Sequence, residues 1–102
     1  MKYGLSNDII SNITTVFKQF PVIEAVYLYG SRAKGDFKKS SDIDLVLKGS
    51  QLGLSELTNI MTKLDDLLLP YQFDIAIYHQ INNEELLEHI DRVGINIYSR
   101  LD

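Results

Sequence analysis

The stretch Gly30-Ser31-Arg32-Ala33-Lys34-Gly35, followed by Ser41-Asp42-Ile43-Asp44-Leu45, decides how this sequence folds. From residue 42 to 48 the chain alternates without a break. Ile43, Leu45 and Leu47 fall on one face, and Asp42, Asp44 and Val46 on the other. A period of two is the mark of a strand. The apolar run over residues 22–29 reads as an earlier strand that ends at Gly30. The polar segment 31–41 between them is then a turn, with room for one helical turn.

Working outward, residues 6–19 read as a helix, with Ile9, Ile10, Ile13, Val16, Phe17 and Phe20 at helical spacing. Ser6 or Asn7 can cap it and Pro21 stops it. Residues 52–69 form a second amphipathic helix, capped by Ser55 and closed by Pro70. Residues 73–78 repeat the strand alternation, with Phe73, Ile75 and Ile77 opposite Asp74, Ala76 and Tyr78. Residues 82–90 give a third helix capped by Asn82 or Asn83. Gly94 breaks it, and residues 95–98 add a short last strand. This order predicts an α/β (α+β) fold in one domain, 1–102: a small mixed sheet with helices packed on one face. The helix between the second and third strands suits a crossover, which makes those strands parallel. The shorter link before it permits an antiparallel pair. The end of the first strand and the starts of the next two then meet at one edge of the sheet. Gly30, Ser31, Asp42, Asp44 and Asp74 converge there.

Carboxylates gathered on one face repel one another unless a cation joins them. Hard oxygen ligands suit Mg²⁺ or Mn²⁺, and paired ions can stabilise both oxygens of a phosphoryl displacement. An Asp-x-Asp by itself more often marks a solvated strand end. Gly30 lets the backbone approach a phosphate, to which N–H groups and the Ser31 hydroxyl can donate. Arg32 and Lys34 add positive charge where a triphosphate needs it. The turn is neither a Walker A loop nor a dinucleotide fingerprint. Other polar residues read as structural. His79 and His89 lack a second ligand at metal-binding spacing and are expected at the surface or at helix ends. Tyr27, Tyr29 and Tyr78 are expected to pack on the sheet, with flanking of a bound base as the rarer alternative. Asp65, Asp66, Lys38 and Lys39 read as solvated.

Composition narrows the partners. Fourteen acids against ten bases leave a net charge of −4, which argues against duplex nucleic acid as a direct partner, because that needs many cation–phosphate contacts. The absence of cysteine removes disulfides, thiolate catalysis and thiolate zinc sites. No segment reaches the roughly 18 apolar residues of a membrane span, and the first residues lack a signal-peptide core. The expectation is a soluble, cytoplasmic chain with no membrane association. At 102 residues it has little surface for elaborate substrate pockets.

Taken jointly, Gly30-Ser31, ten residues, Asp42-Ile43-Asp44 and an acid on a later strand resemble the signature of the DNA polymerase beta-like nucleotidyltransferase superfamily. The fuller strings at 30–35 and 41–45 resemble its minimal nucleotidyltransferase (MNT) branch, the MntA-like antitoxins. The resemblance spans nearly the whole chain. It implies that Gly30, Ser31 and Arg32 hold the triphosphate, that Asp42 and Asp44 bind metal, and that Asp74 is a third metal ligand that helps deprotonate the acceptor. The implied cofactor is Mg²⁺ or Mn²⁺ and the donor is ATP or another nucleoside triphosphate. The implied reaction is attack of an acceptor hydroxyl on the α-phosphate with release of pyrophosphate. MNT proteins pair with a helical HEPN protein in a hetero-oligomer, so the resemblance further implies an antitoxin that moves AMP to a tyrosine of a HEPN toxin. Two alternatives stay open: a catalytic subunit that modifies a small, antibiotic-like molecule, and a non-catalytic module that neutralises its partner by binding.

Overall fold

The alternation from residue 42 to 48 forms the strand it predicts, and the sheet is built around it. The computed structural model describes residues 1–100; positions 101 and 102 of the expected domain lie outside the described residues. The elements are α1 (Asn7–Lys18), β1 (Ala25–Tyr29), α2 (Gly30–Lys34), β2 (Ile43–Lys48), α3 (Leu54–Asp65), β3 (Phe73–Ile77), α4 (Glu84–Val93) and β4 (Ile95–Ser99), with a 3₁₀ turn at Tyr78–Gln80. The four strands lie in the order β3-β2-β1-β4. β1 is antiparallel to both β2 and β4, and β2 is parallel to β3 across the α3 crossover. Sheet type and both pairings expected around β2 are present.

Local chemistry sets where the helices begin and end. The Ser6 hydroxyl accepts the Ile9 N–H at 3.2 Å, filling one of the donor positions that a helix start leaves open. The cap of α3 is Gly53 and not Ser55; the Gly53 N–H donates to the Glu56 carboxylate at 2.9 Å. The helix also stops four residues earlier than the expected 69. The N–H groups of Leu67 and Leu68 reach back only three residues, to Leu64 and Asp65, and Leu68 turns left-handed at φ 55°. Asn83 caps α4 by accepting the Leu86 N–H at 3.1 Å. That helix runs on to Val93 before Gly94 ends it.

Two layers of side chains cover the sheet. On one face Ile13 and Phe17 of α1 and Ile60 and Leu64 of α3 pack against Val26, Leu28, Ile43, Leu45, Leu47 and Ile77. Burying each such side chain stabilises the fold by roughly 1.5–3 kcal/mol, so this is the main core. The expected one-face arrangement describes α1 and α3. α4 lies over the opposite face, where Leu86, Ile90 and Val93 meet Tyr27, Tyr29 and Val46. Val46 and the two tyrosines leave that face apolar at its middle, which gives α4 a surface to bury. The acids therefore share their side of the sheet with a helix. Among the described residues no helix is long and apolar enough to cross a membrane.

Candidate active site

Strand register assembles the site. Tyr29, the last residue of β1, pairs with Asp44 of β2, and Asp44 pairs with Asp74 of β3. Gly30 follows Tyr29 directly, so one row across three strands joins the glycine turn to two carboxylates. Asp42 lies one residue ahead of β2 and is exposed, as is Asp74, while Asp44 is half-buried. Gly30 sits at φ 74°, in the left-handed region, and a Cβ built there would collide with the Asp44 carboxylate. Any side chain at this position would meet both penalties.

The acids are electrostatically crowded. Burial first, then the charges of Asp74 and Asp42, push the Asp44 carboxyl up to about 6, with Arg32 offsetting part of the rise. Tyr29 is driven up to about 12, first by burial and then by Asp74 and Asp44. Among the described residues none of the three acids is ion-paired; the pairs present are Lys34–Asp36 at 3.5 Å and Arg92–Glu88 at 3.0 Å. A carboxylate held against its preference for charge, with two more beside it, is the donor chemistry that a divalent cation neutralises. Among the described residues no three His, Cys, Asp or Glu side chains are grouped so as to hold a metal ion together. Mg²⁺ tolerates that, since it commonly takes one or two carboxylates and completes its shell with water and substrate phosphates.

Arg32 is placed differently from the expectation. Its side chain is 2% exposed and is consumed by main-chain carbonyls. Nη1 donates to Tyr3 O at 2.9 Å, Nη2 to Ser41 O at 2.8 Å and to Lys39 O at 3.3 Å, and Nε to Ser41 O at 3.2 Å. The rings of Phe37 and Tyr71 lie 5.3 and 4.9 Å from the guanidinium carbon. The guanidinium thus braces the loop that delivers Asp42, and it ties the N-terminal segment to that loop. Its side chain does not face a phosphate at the turn. Lys34 is paired with Asp36 at the surface. What the turn offers a phosphate is the start of α2, where Ser31 and Arg32 have N–H groups with no acceptor inside the helix, together with the Ser31 hydroxyl.

His89 belongs to the site although the sequence reading set it aside as a surface or helix-end residue. Its Nε2 accepts the Gly30 N–H at 3.2 Å, and its ring stands edge-on to Tyr29 with centroids 6.2 Å apart. A signal existed: His89 falls on the same helical face as Leu86, Ile90 and Val93. What it meets there, fifty-nine residues away in sequence, was not legible. The tyrosine alternative resolves toward packing. Tyr27 and Tyr78 hold Lys48 between them, with its Nζ 4.7 and 4.5 Å from the two ring centroids, and the Tyr78 hydroxyl donates to Asp91 at 2.9 Å. His79, Asp65, Asp66, Lys38 and Lys39 are exposed, as expected.

Comparison with known proteins bears on the family and the fold. Residues 11–102 match the family described as "Polymerase beta, Nucleotidyltransferase". No curated protein matches the chain. Among solved structures the fold is similar to that of a toxin–antitoxin with AMP-PNP, at 19% identity and a TM-score of 0.73, over 89% of this chain and 73% of that one. It is also similar to a complex of tri-AMPylated Shewanella oneidensis HEPN toxin with MNT antitoxin, at 16% identity and 0.69, over 94% and 74%. A third is the toxin–antitoxin MntA-HepT, at 16% identity and 0.68, over 93% and 74%. Identities this low establish a shared fold.

Proposed function

The chain belongs to the polymerase beta nucleotidyltransferase family, and from that premise we propose that it moves a nucleoside monophosphate, AMP from ATP, to a hydroxyl carried by another protein. The observation that carries the reading is the row Gly30–Asp44–Asp74, set by strand register and closed by the contact between Gly30 and the Asp44 carboxylate.

Each residue has a part in that reaction. Ser31 and the free N–H groups at the start of α2 hold and orient the triphosphate. Asp42 and Asp44, with Asp74, would hold Mg²⁺ or Mn²⁺, with water and substrate phosphates in the rest of its shell. When bound, the divalent cation would neutralise charge on the phosphate oxygens and on the pyrophosphate that leaves. Asp74, exposed on β3, accepts the proton of the acceptor hydroxyl as its oxygen attacks the α-phosphate. The bond that forms is acceptor oxygen to α-phosphorus; the bond that breaks joins the α-phosphorus to the bridging oxygen of pyrophosphate.

The acceptor is proposed to be a tyrosine of a HEPN-type toxin, with this chain as its antitoxin in a hetero-oligomer. Two considerations support this. Asp42 and Asp74 are exposed at the sheet edge, a placement that suits an acceptor presented by a macromolecule. The similar folds named above include an AMPylated HEPN toxin bound to an MNT antitoxin.

The test is transfer from α-³²P-ATP with Mg²⁺, using this chain, any helical protein found encoded in a neighbouring reading frame, and an Asp42→Asn/Asp44→Asn control. Label is expected on the helical protein and absent with the control. Stable complex formation with no label on either protein would sink protein adenylylation and turn attention to a small-molecule acceptor or to neutralisation by binding.

A further inference from the structure

We propose that His89 is a positioning residue that sets the Gly30–Ser31 turn for the triphosphate. The inference rests on the nucleotidyltransferase reading and extends it to a helix outside the signature strings. It begins from the Tyr29–Gly30 peptide. The Asp44 carboxylate fills the space beside the Gly30 Cα, and φ at Gly30 is 74°. With that side closed, the remaining freedom is rotation of the peptide plane that carries the Gly30 N–H.

His89 removes that freedom. Its Nε2 accepts the Gly30 N–H at 3.2 Å, which requires the neutral ring with its proton on Nδ1. The imidazole is itself fixed on two sides. Tyr29, 8% exposed, meets it edge-on at 6.2 Å. The helix carrying it is seated by Ile90, 4% exposed, against Val46 and Tyr29. Gly94 closes that helix so tightly that a Cβ there would run into the Ile90 carbonyl. With the Gly30 N–H committed to His89, the next donors in the turn, the N–H groups of Ser31 and Arg32 and the Ser31 hydroxyl, remain for phosphate oxygens. α4 therefore reads directly into the turn, and the glycine and the histidine act as two halves of one clamp.

The chemistry predicts which substitutions keep the clamp. Glutamine places its Oε1 near the position of Nε2, asparagine places its oxygen near Nδ1, and phenylalanine keeps the ring but has no acceptor. Affinity for AMP-PNP with Mg²⁺ is to be measured by calorimetry on His89→Gln, His89→Asn and His89→Phe. In parallel, the Gly30 amide is followed by ¹H–¹⁵N NMR in nucleotide-free protein. The expected result is about a tenfold loss of affinity in His89→Phe and His89→Asn, with most of it restored in His89→Gln. The Gly30 amide should lose its protection from solvent exchange in the same two variants. Wild-type affinity and amide protection in a folded His89→Phe protein would overturn the proposal and leave His89 a packing residue. If the unsubstituted protein binds no nucleotide, the nucleotidyltransferase reading fails by itself. In that case the Gly30 amide still decides whether His89 holds the turn.

Discussion

The two ends of β2 treat charge in opposite ways on the same face of the sheet. At its far end Lys48 lies between the rings of Tyr27 and Tyr78, so its charge is met by aromatic faces. At its start Asp44 is met by Asp42 and Asp74 and is pushed up to about 6. Strand geometry is common to both ends; the difference lies in what neighbouring strands contribute. Where β2 ends, the sheet supplies a partner for the charge. Where it begins, the sheet supplies more of the same charge and a glycine in contact with it. The contrast supports the proposal that the acid end takes a cation from outside the chain, whereas the charge at the lysine end is met within it.

The largest expected effect tests that claim directly. Asp44→Asn should lower transfer at least about a thousandfold while raising the Tm of metal-free protein by about 2–5 °C, since it removes a crowded charge. A loss of both activity and stability would mean that the fold relies on this carboxylate for its own cohesion. Next in size is Arg32→Lys. A lysine cannot reproduce the fork of bonds to Tyr3, Lys39 and Ser41, and about 2–4 kcal/mol of stability should go, read by urea denaturation. Unchanged stability with a raised KM for ATP would return Arg32 to the triphosphate and weaken the contrast.

A pH experiment sharpens the comparison further. The Asp44 carboxyl is raised above its unfolded value, near 3.9. Its favourable contribution is therefore complete below about pH 4 and is lost as pH rises through about 6. Mg²⁺ binds the ionised form and should offset that loss. The Mg²⁺-induced rise in Tm should be several degrees greater at pH 7.5 than at pH 5, by differential scanning fluorimetry. Equal rises at both values would place the ion elsewhere. The smallest effect is expected at the other end of the strand. Lys48→Met should cost about 1 kcal/mol of stability and leave transfer within about twofold, since the residue lies four positions along β2 from Asp44. A large loss of activity would show that the two ends are not independent.

Much of this was legible in sequence because it is local. Alternation gave the strands and the shared face of Asp44 and Asp74. Helical spacing gave α1, α3 and α4, and the crossover argument gave the parallel pair. Those steps brought Gly30, Asp44 and Asp74 to one edge of the sheet, but the register that pairs Tyr29 with Asp44 and Asp44 with Asp74 came only with the structure. What the sequence did not show concerns groups whose surroundings depend on main-chain atoms that arrive from elsewhere. Arg32 looks like a phosphate ligand until three carbonyls converge on its guanidinium. His89 looks idle until α4 is known to cross the acid face. The end of α3 depends on Leu68 adopting a left-handed conformation, which its side chain does not announce.

The strand order β3-β2-β1-β4 has a consequence for the order of events during synthesis. Residues 25–77 contain β1, β2, α3 and β3, so the row of acids can form as soon as that part of the chain is free to fold. β1 is then central in the final sheet but still open along one side. Its second neighbour, β4, follows the other three strands in the chain, and its Ser99 pairs with Ala25. Until then an apolar strand has an unpaired edge, the kind of surface through which nascent chains associate wrongly. The histidine that sets the glycine turn lies on the helix made just before that strand. The newborn chain thus carries its carboxylates before it has the means to aim a nucleotide at them.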